Sequence, residues 1–262
     1  MNFLKKKENI LTKKFLKNGF IIKKVESIKS LKFLESVIQD SLKKNLNIKK
    51  DINLNYIHKY IPLADLNEFR VKLIYDLNNN ESAKLNYFNI AREHLYTIAG
   101  NELMMQRNIN LSIQFPEDES SLLPVHSDVW SGDSPYEINL WIPLVNCYKT
   151  KSMYLLHQKK FSIFKKKIAY LKNISSSKIY KKISNDVNWI KINYGEFLLF
   201  NQSLPHGNIV NREKQTRWSL NCRFKNIFSP YADKKIGEFF IPITTRATTN
   251  IGINYKSPFE KI

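Results

Sequence analysis

Residues 217–224 read RWSLNCRF and alternate strictly between polar and apolar side chains. Because successive residues of a β-strand point to opposite faces, the polar side chains share one face and the apolar ones share the other. The apolar face is suited to a core. The polar face, which carries Arg217 and Arg223, is predicted to form the wall of a pocket.

Short strands of the same kind are predicted on the N-terminal side of this stretch, over 108–115, 137–145, 152–156, 189–192 and 196–200. Turn sequences lie between them at 116–118, 131–133, 194–195 and 205–207. Residues 1–107 instead predict mainly helix, with a short strand over 20–25 and helices over 27–46, 63–77 and 81–99. Ser27 is the expected N-cap of the helix over 27–46. We therefore expect an α+β chain whose β part is a sandwich or jelly roll.

The chain is expected to form one domain over 1–262, with a mainly helical part over 1–107 and a β core over 108–225. A lysine-rich segment over 158–185 interrupts the strands and predicts a partly helical insertion over one mouth of the β core. Its alternative interpretation is a solvated surface decoration. Residues 226–262 are expected to form a C-terminal extension.

The net charge of +19 invites an interaction with nucleic acid or another polyanion. Most of the basic residues are lysines, however, whereas base reading favours the planar fork of arginine, so nucleic acid is disfavoured. Two cysteines are too few for a disulfide framework, and they suggest buried thiols in a reducing compartment. No apolar run approaches the length of a membrane span or of a signal-peptide core, which predicts a cytoplasmic protein without a membrane span.

The pair His126 and Asp128 is the first chemical motif. In an extended segment, residues i and i+2 point to the same side, so an imidazole and a carboxylate can hold one ion. His206 follows 78 residues later, after the apolar strand over 196–200. Two histidines and one carboxylate on one face of iron(II) leave three positions for other ligands. We therefore predict that His126, Asp128 and His206 bind a metal and are catalytic.

Arg217 lies 11 residues after His206, with Ser219 on the same face of the strand. A guanidinium beside a hydroxyl suits a carboxylate, and a buried arginine requires an anionic partner. The distal carboxylate of 2-oxoglutarate would be that partner; the alternative is an arginine that faces solvent. Further candidates to bind the cosubstrate are Gln114, Asn139 and Ser152, with Trp141 as a wall of the site.

Taken together, these motifs resemble the iron(II)/2-oxoglutarate oxygenase superfamily. The branch they look most like is that of phytanoyl-CoA hydroxylase, and within it oxygenases of carbohydrate-biosynthesis clusters. The resemblance rests on LPVHSD at 123–128, EINLWIPL at 137–144, SMY at 152–154, PHG at 205–207 and RWS at 217–219, and more loosely on FLKNGF at 15–20. It covers 108–225 well and the flanks loosely, and the lysine-rich insertion departs from it.

The resemblance implies a double-stranded β-helix, cupin-like, with an N-terminal helical layer and the triad at one open end. It implies Fe(II), 2-oxoglutarate and O2 as cofactors, with oxidative decarboxylation of 2-oxoglutarate to succinate coupled to oxidation of a small-molecule substrate. A sugar or sugar nucleotide of surface-carbohydrate biosynthesis suits the resemblance. A phosphate on that substrate would suit basic residues expected near the mouth, namely Lys159, Lys160, Lys165, Lys166, Lys167, Arg223 and Arg246.

Three other functions stay open at this point. The substrate could be a fatty acyl thioester, as for phytanoyl-CoA hydroxylase. The β domain could be a non-catalytic jelly roll that binds glycans. A zinc hydrolase could use the same three ligands, because ligand type alone does not fix the metal. Arg217 distinguishes the oxygenases from the last two, since it has an evident role only if a dicarboxylate cosubstrate binds.

Overall fold

The computed structural model describes residues 3–168 and 175–259. Its helices are Lys6–Asn18 (α1), Ile28–Leu46 (α2), Leu66–Asn79 (α3), Ala83–Asn89 (α4), Arg92–Ala99 (α5), Gln158–Ile168 (α6), Ser176–Ile183 (α7) and Ala247–Asn254 (α8). Its strands are Phe20–Lys24 (β1), Leu103–Gln106 (β2), Asn110–Gln114 (β3), Glu137–Pro143 (β4), Tyr154–Leu156 (β5), Val187–Trp189 (β6), Glu196–Asn201 (β7), His206–Gly207 (β8), Arg217–Asn226 (β9) and Phe240–Thr244 (β10). No helix of the described residues is long and apolar enough to cross a membrane.

Two antiparallel sheets make up the β part. The larger sheet has the order β1-β7-β4-β9-β2-β10, and β3 pairs with the first half of β9. The smaller sheet has the order β6-β5-β8. A backbone bridge between His126 and His206 attaches the segment before Asp128 to the smaller sheet. The mixture of helices with antiparallel sheets confirms the α+β prediction at this level, and a jelly roll is consistent with it.

β9 lies inside the larger sheet and has the two faces that its sequence predicts. The apolar residues Trp218, Leu220 and Phe224 are fully buried against the helices. The indole N–H of Trp218 donates to the carbonyl oxygen of Leu54 at 2.8 Å, and Phe224 stacks on Tyr87 of α4. The polar face therefore points away from the helices, toward the other side of the larger sheet.

Among the N-terminal helices, α2 and α3 lie where helices are predicted, whereas α1 was not assigned and the last predicted helix is divided. α2 begins after Ser27, whose hydroxyl accepts the backbone N–H of Ser30, as expected for an N-cap. The single helix expected over 81–99 is wrong, because α4 and α5 are separate helices. Between them, the carbonyl oxygen of Ile90 accepts the backbone N–H of Glu26. The Glu26 carboxylate in turn accepts two backbone N–H groups at the start of α5, and these long-range bonds replace the missing helical turn.

One strand prediction also needs correction, whereas the lysine-rich insertion is partly helical as expected. The strand expected over 189–192 is β6 at Val187–Trp189, and Ile192 forms only an isolated bridge with Cys147. The insertion over 158–185 contains α6 and α7, as predicted, while 169–174 lie outside the described residues. Its apolar side chains, Ile183 among them, pack on β5 of the smaller sheet.

Candidate metal centre

His126, Asp128 and His206 lie together at one end of the β part. One ligand atom from each residue lies within 4.8 Å of the others. The Nε2 atoms of His126 and His206 are 3.6 and 3.8 Å from Oδ1 of Asp128. The two histidines are fixed relative to each other because each donates its backbone N–H to the carbonyl oxygen of the other. Among the described residues, this is the group of His, Cys, Asp or Glu side chains whose spacing could hold a metal ion.

The hydrogen bonds of the two histidines present their Nε2 atoms to the site. Nδ1 of His126 is 2.8 Å from the carbonyl oxygen of Pro124, and Nδ1 of His206 is 2.8 Å from that of Leu204. A carbonyl can only accept, so the proton lies on Nδ1 and the lone pair of Nε2 faces the site. Burial lowers the pKa of His206 to about 4, which keeps that imidazole neutral at pH 7.

Asp128 supplies the negative charge of the centre. Burial alone would raise the pKa of its carboxyl, but His206 and the guanidinium of Arg223 outweigh that effect and lower it. Nη2 of Arg223 is 3.0 Å from Oδ1 of Asp128. Nε of Arg223 also donates to Oε1 of Gln202 at 3.1 Å and lies 3.6 Å from Oδ1 of Asp133. A neutral imidazole at His206 and an ionised carboxylate at Asp128 are protonation states that suit a divalent metal.

A cavity of about 500 Å³ opens beside the triad and contains the polar face of β9. Arg217, Asn221 and Arg223 of β9 line it, together with Asn139 and Trp141 of β4. The basic residues expected at the mouth are placed differently. Arg223 lines the cavity but is paired with Asp128, while the lysines of α6 and Arg246 do not line it; the side chain of Lys167 lies outside the described residues.

Arg217 is buried, with 3% of its surface exposed. Its Nη2 donates to the hydroxyl of Ser112 at 2.8 Å and its Nη1 to the carbonyl oxygen of Ser152 at 3.4 Å. Its Nε has no hydrogen-bond partner, and no carboxylate of the described residues lies within 4.0 Å of the guanidinium. Burial therefore lowers the pKa of Arg217 to about 10. Asp118 stabilises this charge from a longer distance, but a buried guanidinium without a carboxylate in contact fits an anion from outside the chain.

Other buried polar atoms of the site also lack partners. They are the hydroxyl oxygens of Ser152 and Ser219, close to Arg217, and Oδ1 of Asn139, which lies opposite Arg223 in the pairing of β4 with β9. Native proteins leave few buried polar atoms unsatisfied, so these atoms together with the Nε of Arg217 fit a polar ligand. Gln114 is different. Its amide nitrogen donates to the carbonyl oxygen of Ile209. Of these four candidates for the cosubstrate, Asn139 lines the cavity, whereas Gln114, Ser152 and Ser219 do not.

Sequence reasoning missed three features of the site. Asp133 and Gln202 surround Arg223 from two different loops, and no local pattern marks them. Arg70 reaches the cavity from α3. In the sequence it cannot be distinguished from other basic residues on the surface of a helix. Only the tertiary packing of α3 beside β3 shows its place.

Comparison with known proteins gives the fold. No protein-family model and no curated protein matches the sequence. Several solved structures match the fold. The nickel complex of the non-haem monooxygenase ThoJ has a TM-score of 0.58 at 14% identity, covering 91% of this chain and 85% of that one. EctD from S. alaskensis with bound Fe has a TM-score of 0.52 at 11% identity, covering 87% and 79%. HygX from Streptomyces hygroscopicus, with nickel and 2-oxoglutarate bound, has a TM-score of 0.50 at 10% identity, covering 89% and 90%.

Proposed function

We propose that this chain is an iron(II) oxygenase that uses 2-oxoglutarate and O2. In this proposal His126, Asp128 and His206 hold the metal, and Arg217 binds the distal carboxylate of 2-oxoglutarate. The observation that carries it is the pairing of a complete set of metal ligands with a buried guanidinium that has no carboxylate partner, in one cavity. The folds of ThoJ, EctD and HygX support it.

The unpaired Arg217 favours this function over the two alternatives of other classes. A zinc hydrolase would use the same three ligands, but nothing in its reaction calls for a guanidinium buried beside them. A glycan-binding jelly roll would need neither the ligands nor the guanidinium. A dicarboxylate cosubstrate accounts for both, because one end can bind a metal while the other end pairs with arginine.

Each side chain then has a definite task. His126, Asp128 and His206 cover one face of the metal and leave the remaining positions for cosubstrate and oxygen. Iron with 2-oxoglutarate supplies the activation of O2 that oxidises the substrate. Arg217 would fix the orientation of the cosubstrate with two parallel hydrogen bonds, assisted by Ser219, Ser152 and Asn139. Trp141, Met153 and Phe200 line the cavity and would exclude water from it.

For the substrate we propose a sugar or sugar nucleotide of surface-carbohydrate biosynthesis, handled in the cytoplasm. The polar lining beyond the metal supports this, since Asn110, Asn221 and Arg70 lie there beside Trp141. A long acyl chain, the substrate of the phytanoyl-CoA hydroxylase alternative, would call for an apolar lining instead. Unpaired buried thiols at Cys147 and Cys222 are consistent with a reducing compartment.

The test is the visible charge-transfer band that forms when 2-oxoglutarate chelates protein-bound iron(II) under anaerobic conditions. We expect the band in the wild type and its loss in His126→Ala. His157→Ala is the matched control, because His157 does not line the cavity, and it should keep the band. Folded, iron-loaded wild-type protein without a band would contradict the proposal and favour a hydrolase or a binding module.

A further inference from the structure

One side of the cavity carries polar side chains that neither the metal ligands nor Arg217 require. Asn110 of the edge strand β3 pairs in register with Asn221 of β9, and Asn221 pairs in turn with Trp141 of β4. The three side chains thus form a row across neighbouring strands, and all three line the cavity. Neither the Asn110 nor the Asn221 amide group makes a hydrogen bond with any described residue. Two amides with free donors and acceptors therefore lie in a row beside the indole of Trp141.

Arg70 extends into the same side of the cavity from α3. Its only hydrogen bond with the described part of the chain is from Nη2 to Oδ1 of Asn67 at 2.6 Å, one turn earlier in the helix. Asn67 is neutral, and no carboxylate of the described residues lies within 4.0 Å of this guanidinium. The charge of Arg70 therefore has no counter-ion.

The three arginines that line the cavity consequently differ in their partners. Arg223 is neutralised by Asp128 at 3.0 Å, and the proposed function uses Arg217 for the distal carboxylate of 2-oxoglutarate. Arg70 is thus the one of the three without an assigned partner. It lies on α3, beside the edge strand β3, so it is suited to a part of the ligand that lies away from β9. A guanidinium there selects for phosphate or carboxylate, which it can bind with two parallel hydrogen bonds.

We infer that Asn110, Asn221 and Arg70 form the subsite for the primary substrate, and that this substrate is a hydroxylated ring bearing one phosphate or carboxylate group. The inference rests on the proposed function, because it assigns Arg217 to the cosubstrate. The amides of Asn110 and Asn221 bind ring hydroxyls, Trp141 packs on the apolar face of the ring, and Arg70 binds the anionic group.

The experiment uses the iron(II) protein loaded with 2-oxoglutarate under anaerobic conditions. A ligand that occupies the cavity near the metal shifts the charge-transfer band, so each probe is titrated against that shift. The probes are glucose 1-phosphate and UDP-glucose for a phosphate, glucuronate for a carboxylate, and glucose as the neutral ring. We expect the phosphate or the carboxylate probes to bind at least tenfold more tightly than glucose, and the preferred set identifies the anionic group.

Arg70→Gln tests the anchor. It removes one charge-assisted contact, so the preferred anionic probe should bind about 10- to 100-fold more weakly, whereas glucose should be unaffected. Arg92→Gln is a matched control, because Arg92 makes the same bond to an asparagine one turn earlier, Asn89, and does not line the cavity. The double variant Asn110→Ala/Asn221→Ala should weaken charged and neutral probes alike.

The outcomes separate the two proposals. Absence of the charge-transfer band in wild type would reject the proposed function itself. A normal band that no probe shifts, or a probe affinity that Arg70→Gln leaves within twofold of the Arg92→Gln value, would reject the subsite and leave the proposed function intact. Equal affinity for glucose and the anionic probes would reject the role of Arg70.

Discussion

Replacing Arg217 with methionine separates its role in binding from any role in stability. The substitution keeps a long side chain in the buried position but removes the guanidinium. If Arg217 donates two charge-assisted hydrogen bonds to a carboxylate, each contributing about 1.5–3 kcal/mol, their loss weakens 2-oxoglutarate binding by roughly 3–6 kcal/mol. Because about 1.4 kcal/mol is tenfold in affinity, the dissociation constant should rise at least 100-fold.

The same variant should not lose stability when no cosubstrate is present. The Arg217 side chain is buried without a carboxylate in contact, and its Nε has no hydrogen-bond partner. Replacing a buried ion pair with hydrophobic residues of similar volume is often neutral, or stabilising by about 1–4 kcal/mol, and a buried charge without a carboxylate in contact should tolerate the change at least as well. Urea unfolding of the metal-free protein should therefore give Arg217→Met a free energy of unfolding equal to or above that of wild type.

Two assays decide the matter together. Titration of 2-oxoglutarate into the anaerobic iron(II) protein measures cosubstrate affinity, and calorimetry with nickel(II) checks that the metal centre remains intact. Arg217→Lys is the informative companion, because it keeps the charge but loses the fork, and its affinity should fall between the other two. If Arg217→Met bound 2-oxoglutarate normally, or unfolded more than 2 kcal/mol more easily than wild type, Arg217 would be a structural residue and our reasoning would be refuted.

Three further predictions concern the surroundings of the site. Glu26→Gln should lower the free energy of unfolding at pH 7 by about 1 kcal/mol, since Glu26 caps α5. Burial opposes ionisation of Glu26, but His94 and two backbone N–H groups lower the pKa of its carboxyl below 4.5. Urea unfolding should therefore show the full difference between the variant and wild type above pH 4.5, and the difference should disappear at more acid pH. Neither Cys147 nor Cys222 should react with a disulfide reagent in the native protein, and both should react in urea, because burial raises both thiol pKa values; rapid native labelling would contradict this packing. Gly207→Ala should lower the free energy of unfolding by about 1–3 kcal/mol in a urea titration, because the added Cβ would lie 2.7 Å from a backbone oxygen, and an unchanged midpoint would show that β8 can move.

Local patterns in the sequence predicted the elements whose structure depends on neighbouring residues. α2 follows from its apolar spacing and from Ser27, both of which act within one or two turns. The two faces of β9 follow from alternation, which fixes where side chains point whatever the strand's neighbours are. β2 escaped prediction because all four residues of Leu103–Gln106 are buried, so no alternation marks it.

Long-range contacts decided the features that the sequence did not predict. The break between α4 and α5 depends on Glu26, which lies more than sixty residues earlier and supplies the bonds that the helix would otherwise make. The candidate metal ligands were named from the sequence, yet their distances depend on the backbone pairing of His126 with His206 across eighty residues. Gln114 shows the opposite case. It lies on strand β3 beside the cavity wall, but its amide nitrogen donates a hydrogen bond to the carbonyl oxygen of Ile209 in a loop.

The arginines of the cavity show why charge alone could not identify a ligand. Arg70, Arg217 and Arg223 are the same residue type in a chain of net charge +19, and composition treats them alike. Their possible roles diverge only through their partners: Arg223 is occupied by Asp128, Arg217 is buried with no carboxylate, and Arg70 has a neutral partner at the rim. An arginine that is already paired cannot recruit an anion without losing that pair, so only the unpaired arginines can specify ligands. The preference of this cavity should therefore follow two guanidinium groups rather than the basicity of the whole surface. Added salt should weaken binding of an anionic probe at the half-buried Arg70 more than binding of 2-oxoglutarate at the fully buried Arg217.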